Sequence, residues 1–167
     1  MDDDCYLPFN KREPHNLTKR AAIYASGACA ENDVDNLRNG IDRPIGDEGN
    51  YWEAGEGASL VFSFDKMERI KGLRLVFDSD LNRTAHNMPY AYPLHYQGPG
   101  APQTLVKRFT VEASADGENY REITRINNNY QRLVYAPFEC DARRIRITPL
   151  ETWGCGVFRI FAADLLE

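Results

Sequence analysis

From Ser59 onward the chain is a succession of short apolar runs, each bounded by turn residues: SLVFSF, KGLRLVF, KRFTVEAS, YREITRI, QRLVYAPF, RRIRITPL and VFRIFAADLL. No other feature restricts the fold as much. Three of the runs alternate cleanly. Leu73, Leu75 and Phe77 oppose Arg74. Phe109, Val111 and Ala113 oppose Arg108, Thr110 and Glu112. Ile145 and Ile147 oppose Arg144, Arg146 and Thr148. A period of two with one polar face marks antiparallel sheets, and this many short strands imply an all-β, antiparallel β-sandwich. The expected core is Leu60, Phe62, Leu73, Leu75, Phe109, Val111, Ile145, Ile147, Phe158 and Ile160. Asp116-Gly117 reads as a tight turn between two strands.

The upstream part is less regular. Residues 1–16 read as an acidic linker or tail, and the domain proper spans 17–167. Asn16–Arg20 enters a short helix or strand, Ala21–Gly27 is β-compatible, and Glu31–Gly40 has the caps of one helical turn. A chain of 167 residues fits one domain that needs no staples. The net charge of −5 argues against a nucleic-acid partner. No run reaches the length of a membrane helix, and the N-terminus lacks the apolar core of a signal peptide. Cys5, Cys29, Cys140 and Cys155 form no CxxC pair, so zinc is not expected and their redox state stays open.

Between two of the strand runs lies a long insert, Arg83 to Thr104, with three tyrosines, two histidines and four prolines. Loops of this length inside a compact domain are usually functional or disordered, and the aromatics argue against disorder. If successive strands run antiparallel, Ile41–Gly57, Asp78–Thr104, Asn127–Tyr130 and Glu151–Gly156 gather at one end of the sandwich. The Asp65–Arg69, Asp116–Asn119 and Cys140–Ala142 turns gather at the other. Arg83, Tyr90, Tyr92, His95, Tyr96 and Trp153 are then the candidate ligand-binding residues, because amphipathic aromatic faces can stack on sugars. The same tyrosines could instead pack within the loop or dock on a partner domain. Trp52 could serve as a sugar platform, but a large aromatic after a turn is more often core. His86 and His95 lie near Asp78 and Asp80, but nothing marks a nucleophile, and Cys155 reads as a small buried residue. Asn127–Asn129 reads as a turn whose amides could hold sugar hydroxyls.

Five pieces in order, NLRNGIDRP followed by NYWE, SLVFSFDKMERIKGLRL, RFTVEASADGENY, ARRIRITPL and RIFAADL, resemble the discoidin-like, galactose-binding-like superfamily. That superfamily includes coagulation factor V/VIII C-type domains and many carbohydrate-binding modules. The resemblance covers residues 20–167 and implies a jelly-roll sandwich. More narrowly, LRLVFDSDLNR, the insert, LVKRFTVE and ARRIRITPLETWG resemble the C-terminal domain of bacterial FAD-dependent oxidoreductases. DDDCYLPF is similar to the junction upstream of that domain. No G-x-G-x-x-G occurs, so no FAD site is expected within this chain.

The superfamily resemblance also implies a structural calcium (Ca2+) held by the loop after the short helix and by the acid of the last strand. Here the candidates are Asn39, Asp42 and Asp164, with Asn39 where an Asp is usual. Asp164 should share the inward face with Phe158 and Ile160. A buried carboxylate needs a partner, which is either a cation or Arg38 or Arg43. The expected function is a non-catalytic accessory domain. It would bind carbohydrate at the loop end, or dock on an upstream flavin-dependent catalytic domain.

Overall fold

The computed structural model describes residues 16–27, 34–80 and 100–167. Two short 3-10 turns, Leu17–Arg20 and Val34–Arg38, precede or interrupt seven strands. These are β1 (Ala22–Ser26), β2 (Trp52–Ala54), β3 (Ser59–Phe77), β4 (Val106–Ser114), β5 (Arg121–Ile126), β6 (Leu133–Thr152) and β7 (Phe158–Leu166). All pairings are antiparallel, in the order β2-β7-β3-β6-β4-β5, with β1 added to β3.

β3 and β6 are each twice the expected length. β3 joins the SLVFSF and KGLRLVF runs, and β6 joins QRLVYAPF and RRIRITPL. The two pair from Leu60↔Ile147 to Val76↔Leu133, with register shifts between Ser63/Glu68 and Ile70/Gly72. Such irregularities bend and twist a strand pair. Each strand therefore serves both layers. The first half of β3 and the second half of β6 lie with β1, β4 and β5. Their other halves lie with β7 and β2. Asp65–Arg69 and Cys140–Ala142, expected as turns, are the bulged corners of continuous strands. Pairing carries across them because each irregular segment lies against the other. At Gly72 the backbone approach requires glycine, since a Cβ there would lie 3.0 Å from the Ala136 carbonyl oxygen.

The expected core is observed: all ten residues named from alternation are buried, and Trp52 joins them. One inference from alternation fails. Between Val76 and Phe77 the β3–β7 register shifts, so that Val76 faces Ala162 while Phe77 faces Ile160. Phe161 is the extra residue. Before it Phe158 and Ile160 point inward, and after it Ala163 and Leu165 do. Asp164 is thereby turned to the outer face, opposite the face shared by Phe158 and Ile160. A single inserted residue inverts every later side chain.

That outer face is covered rather than solvated. Val76, Phe161 and Ala162 form a second small cluster against Tyr51. The Thr18 hydroxyl donates to the Ala163 carbonyl and accepts from the Leu165 amide, both at 2.9 Å. Asn16, at the edge of the expected tail, is buried and caps the first 3-10 turn through the Thr18 amide at 2.9 Å.

The β4–β5 connection is longer than the tight turn expected at Asp116-Gly117, because β4 ends at Ser114 and β5 begins at Arg121. Asp116 organises it, accepting from the backbone amides of Glu118 and Asn119 at 2.8 Å, from the Asn119 side chain at 2.6 Å and from the Ser114 hydroxyl at 2.8 Å. These bonds, led by the Asn119 side chain, hold the carboxyl far below the usual carboxylate range. The folded pKa is depressed, so the contribution is present above the unfolded value of about 3.9 and is lost as pH falls through the folded value. In a carbon-detected NMR titration, the Asp116 carboxyl should still be ionised when the exposed carboxylates have protonated. An inflection near 3.9 would show that the turn does not form.

Candidate functional site

The described loops gather at one end, as strand order requires. Segments 100–107, 127–131 and 152–156, which connect strands of the two layers, are stitched together. The Trp153 amide donates to the Leu105 carbonyl, and the Cys155 amide to that of Gln103, both at 3.1 Å. Asn129 is the centre. Its amide donates to the Lys107 carbonyl at 2.9 Å, and its side chain donates to the carbonyls of Val106 at 2.8 Å and Gln131 at 2.9 Å. The Asn129 side chain is thus consumed internally, and only Asn127 and Asn128 of the expected amide trio are exposed.

Trp153 stands on this scaffold. Its indole N–H donates to the Asn129 carbonyl at 2.7 Å, and the Lys107 ammonium sits 5.0 Å from the ring centroid. The ring is 36% exposed, with its polar atom already satisfied. What it offers to solvent is apolar aromatic surface held in one orientation.

The second half of the rim is built on Phe77, β7 and the 44–51 loop. The Phe77 amide donates to the Arg132 carbonyl at 2.9 Å, and the Asp78 amide to that of Arg159 at 3.1 Å. Asp78 is buried. It accepts from the Asp80 amide at 2.8 Å and from the Arg159 guanidinium at 3.4 Å. Arg159 also donates to Glu53 at 2.5 Å and lies 5.2 Å from the Tyr51 ring centroid. Burial pulls the Arg159 pKa down, but the bonds and charges of Glu53, Tyr51 and Asp78 outweigh it, so it stays raised and charged. Tyr51 packs edge-on against Phe161, centroids 5.6 Å apart. Between these groups lies a cavity of about 280 Å³ lined by Glu48, Tyr51, Asp78, Asp80, Arg159 and Phe161 among others.

Of the sequence-derived ligand residues, Trp153 lies on this rim. Arg83, Tyr90, Tyr92, His95 and Tyr96 lie outside the described residues, as do Cys5 and Cys29. Sequence reasoning did not single out Tyr51 or Arg159. Arg159 looked like one more polar position of an alternating strand, and Tyr51 was overshadowed by Trp52. Cys155 is partly exposed and Cys140 buried, both as free thiols; burial raises the Cys140 pKa.

The expected metal residues are distributed as follows. The Asn39 side chain accepts from the Ile41 amide at 2.7 Å and donates to the Asn50 side chain at 3.1 Å, which shapes its own loop. Asp42 and Asp164 both face the Arg74 guanidinium, at 2.5 and 2.7 Å. Arg38 donates instead to the Ala21 carbonyl at 3.0 Å. Among the described residues, no group of three or more His, Cys, Asp or Glu side chains is placed to hold a metal ion.

No protein-family model matches the chain, and no curated protein matches it in sequence. Solved structures do match in fold. The family 32 carbohydrate-binding module of Streptococcus pneumoniae EndoD superposes with a TM-score of 0.67 at 11% identity, covering 91% of this chain and 99% of that one. Chitosan-binding module 1 of a Paenibacillus chitosanase/glucanase gives 0.65 at 11% identity, over 92% and 99%. The family 32 module of Clostridium perfringens NanJ, in complex with galactose, gives 0.63 at 13% identity, over 90% and 96%. The chain therefore has the antiparallel β-sandwich of the discoidin-like, galactose-binding-like fold.

Proposed function

We propose that the chain is a non-catalytic carbohydrate-binding module that takes its ligand at the loop end of the sandwich. One observation carries this reading: the loops converge to present Trp153 as a fixed, half-open aromatic face whose N–H is already satisfied. A pyranose ring offers an apolar C–H face and a rim of hydroxyls. Trp153 and Tyr51 suit the first, while Asp80, Glu48 and Arg159 suit the second. The cavity beside Tyr51 is at the small end for ligand sites, which fits a sugar unit. The fold neighbours are carbohydrate-binding modules, two of them named for chitosan or crystallised with galactose. Arg83, Tyr90, Tyr92, His95 and Tyr96 remain proposed ligand contacts on the ground of their side-chain chemistry, and they lie outside the described residues.

The test is retention on a glycan array. Single-site sugar binding is expected between about 1 mM and 1 μM. Trp153→Ala should weaken it roughly five- to tenfold, or about 1 kcal/mol, with unchanged circular dichroism.

A second reading has its own observation. At the start of β6, which is an edge among the described strands, Leu133 and Tyr135 are exposed, as is Tyr130 in the loop before it. Such a strip suits docking on an upstream flavin-dependent catalytic domain. A blank array for the wild-type chain, with the strip shielded from labelling only when that domain is supplied, would select docking.

A further inference from the structure

At the place where the resemblance implies a metal ion, between the loop after the short helix and the last strand, the structure holds a side chain. We infer that the Arg74 guanidinium is a built-in cation that takes the place of a metal ion, and that Asp42 and Asp164 form a divalent-cation site only once Arg74 is removed.

Arg74 lies in β3, between two apolar neighbours and facing away from them. One of its nitrogens reaches Asp42 in the 39–50 loop, and the other reaches Asp164 in β7. The three side chains are all at least nine-tenths buried, at 9%, 5% and 3% exposure. Charges that deep persist only when paired and hydrogen-bonded. The second oxygen of Asp164 accepts from the Asn16 side chain at 2.5 Å, so the node also ties down the start of the domain. Arg132 adds a second positive charge, donating to the Asp42 carbonyl. Arg74 thus bridges the two carboxylates, while Arg132 is bonded to the main chain of Asp42.

A calcium ion would need six to eight oxygens at about 2.3–2.6 Å. It would have to occupy the space between the same two carboxylates that the guanidinium fills, with two like charges beside it. Asn39, the third expected ligand, is engaged within its loop. The same space cannot hold both cations. Burial alone would lower the Arg74 pKa, but Asp42 and Asp164 more than offset it, so the pKa is raised. Removing the side chain would leave two carboxylates facing an empty volume of hydrated-ion chemistry, which a hard cation suits.

This inference is independent of the sugar reading, and thermal unfolding of the intact chain tests it. The wild-type melting temperature should be the same in excess EGTA and in excess calcium. Arg74→Ala should lower it by roughly 10 °C, as expected when one partner of a buried pair is lost. Calcium should then recover part of that loss, because a ligand bound only by the native state stabilises it. Adding Asp164→Asn to Arg74→Ala should abolish the calcium response. Arg74→Met, which keeps volume without charge, should be destabilised and gain nothing from calcium. A wild-type melting temperature that falls with EGTA would overturn the inference. So would saturable terbium binding to the wild-type chain, followed by sensitised emission, or a folded Arg74→Ala variant that ignores calcium. The wild-type measurements decide the matter even if Arg74→Ala does not fold.

Discussion

Trp52→Ala is expected to cost about 3–5 kcal/mol of stability while leaving the sugar affinity of the remaining folded protein unchanged. Two tryptophans sit in or next to the converging loops, and they do opposite things. Trp52 is fully buried, paired in register with Ile160, and part of the main core. Its removal takes away transfer free energy and leaves a large cavity that short β2, paired among the described strands with β7 alone, cannot collapse around. At about 2–4 °C per kcal/mol for a domain of this size, the melting temperature should fall by roughly 10 °C. Trp52→Phe should recover much of the loss, since it restores aromatic volume, and among the described residues the indole N–H has no partner whose loss would add to the cost. Isothermal calorimetry on the folded fraction separates the two roles. Weaker sugar binding by folded Trp52→Ala protein, with wild-type stability, would mean that Trp52 is a platform and not core.

The strand pattern carried the fold because alternation is local: the inward positions of β4, β6 and β3 can be read from neighbours two residues apart. What it could not carry are the places where alternation breaks. The bulge at Phe161 has no signal in RIFAADL, yet it moves Asp164 from the core face to the outer face. Likewise, nothing in DKMERIK says that the chain turns a corner without leaving the sheet. That depends on β6 having a matching irregularity at Cys140–Ala142, a partner found only through pairing. Arg74 was read as solvent-facing because a lone arginine between leucines usually is. It is buried because residues 39–51 and 16–18 lie over that face, and such long-range cover leaves no trace in a strand's own period. The run KGLRLVF does hold one clue: it is nearly continuous in apolar residues, as strands buried on both faces are.

The convergence of loops was legible from strand order, and Trp153 followed from it. Tyr51 and Arg159 did not, because their importance comes from each other. Arg159 is an ordinary outward position until Glu53, Asp78 and Tyr51 are brought around it.

The double variant Tyr51→Ala with Trp153→Ala should reduce sugar affinity by roughly 30-fold, or about 2 kcal/mol, if one ligand spans both halves of the rim. Each ring would supply about 1 kcal/mol. The rings stand on different scaffolds, Trp153 on Asn129 and Tyr51 on Phe161, so their contributions should add. A ligand held at about 0.1 mM would then fall to the millimolar range, below retention on an array. Tyr51→Phe is the needed control. It keeps the edge-on contact with Phe161 and the face beside Arg159 while removing the hydroxyl, so it should bind nearly as well as wild type if stacking is the interaction. A double variant no weaker than Trp153→Ala alone would confine the ligand to the Trp153 half and leave the cavity beside Tyr51 without a role in binding. A double variant equal to Tyr51→Ala alone would place the ligand in that cavity and make Trp153 a structural residue of its loop.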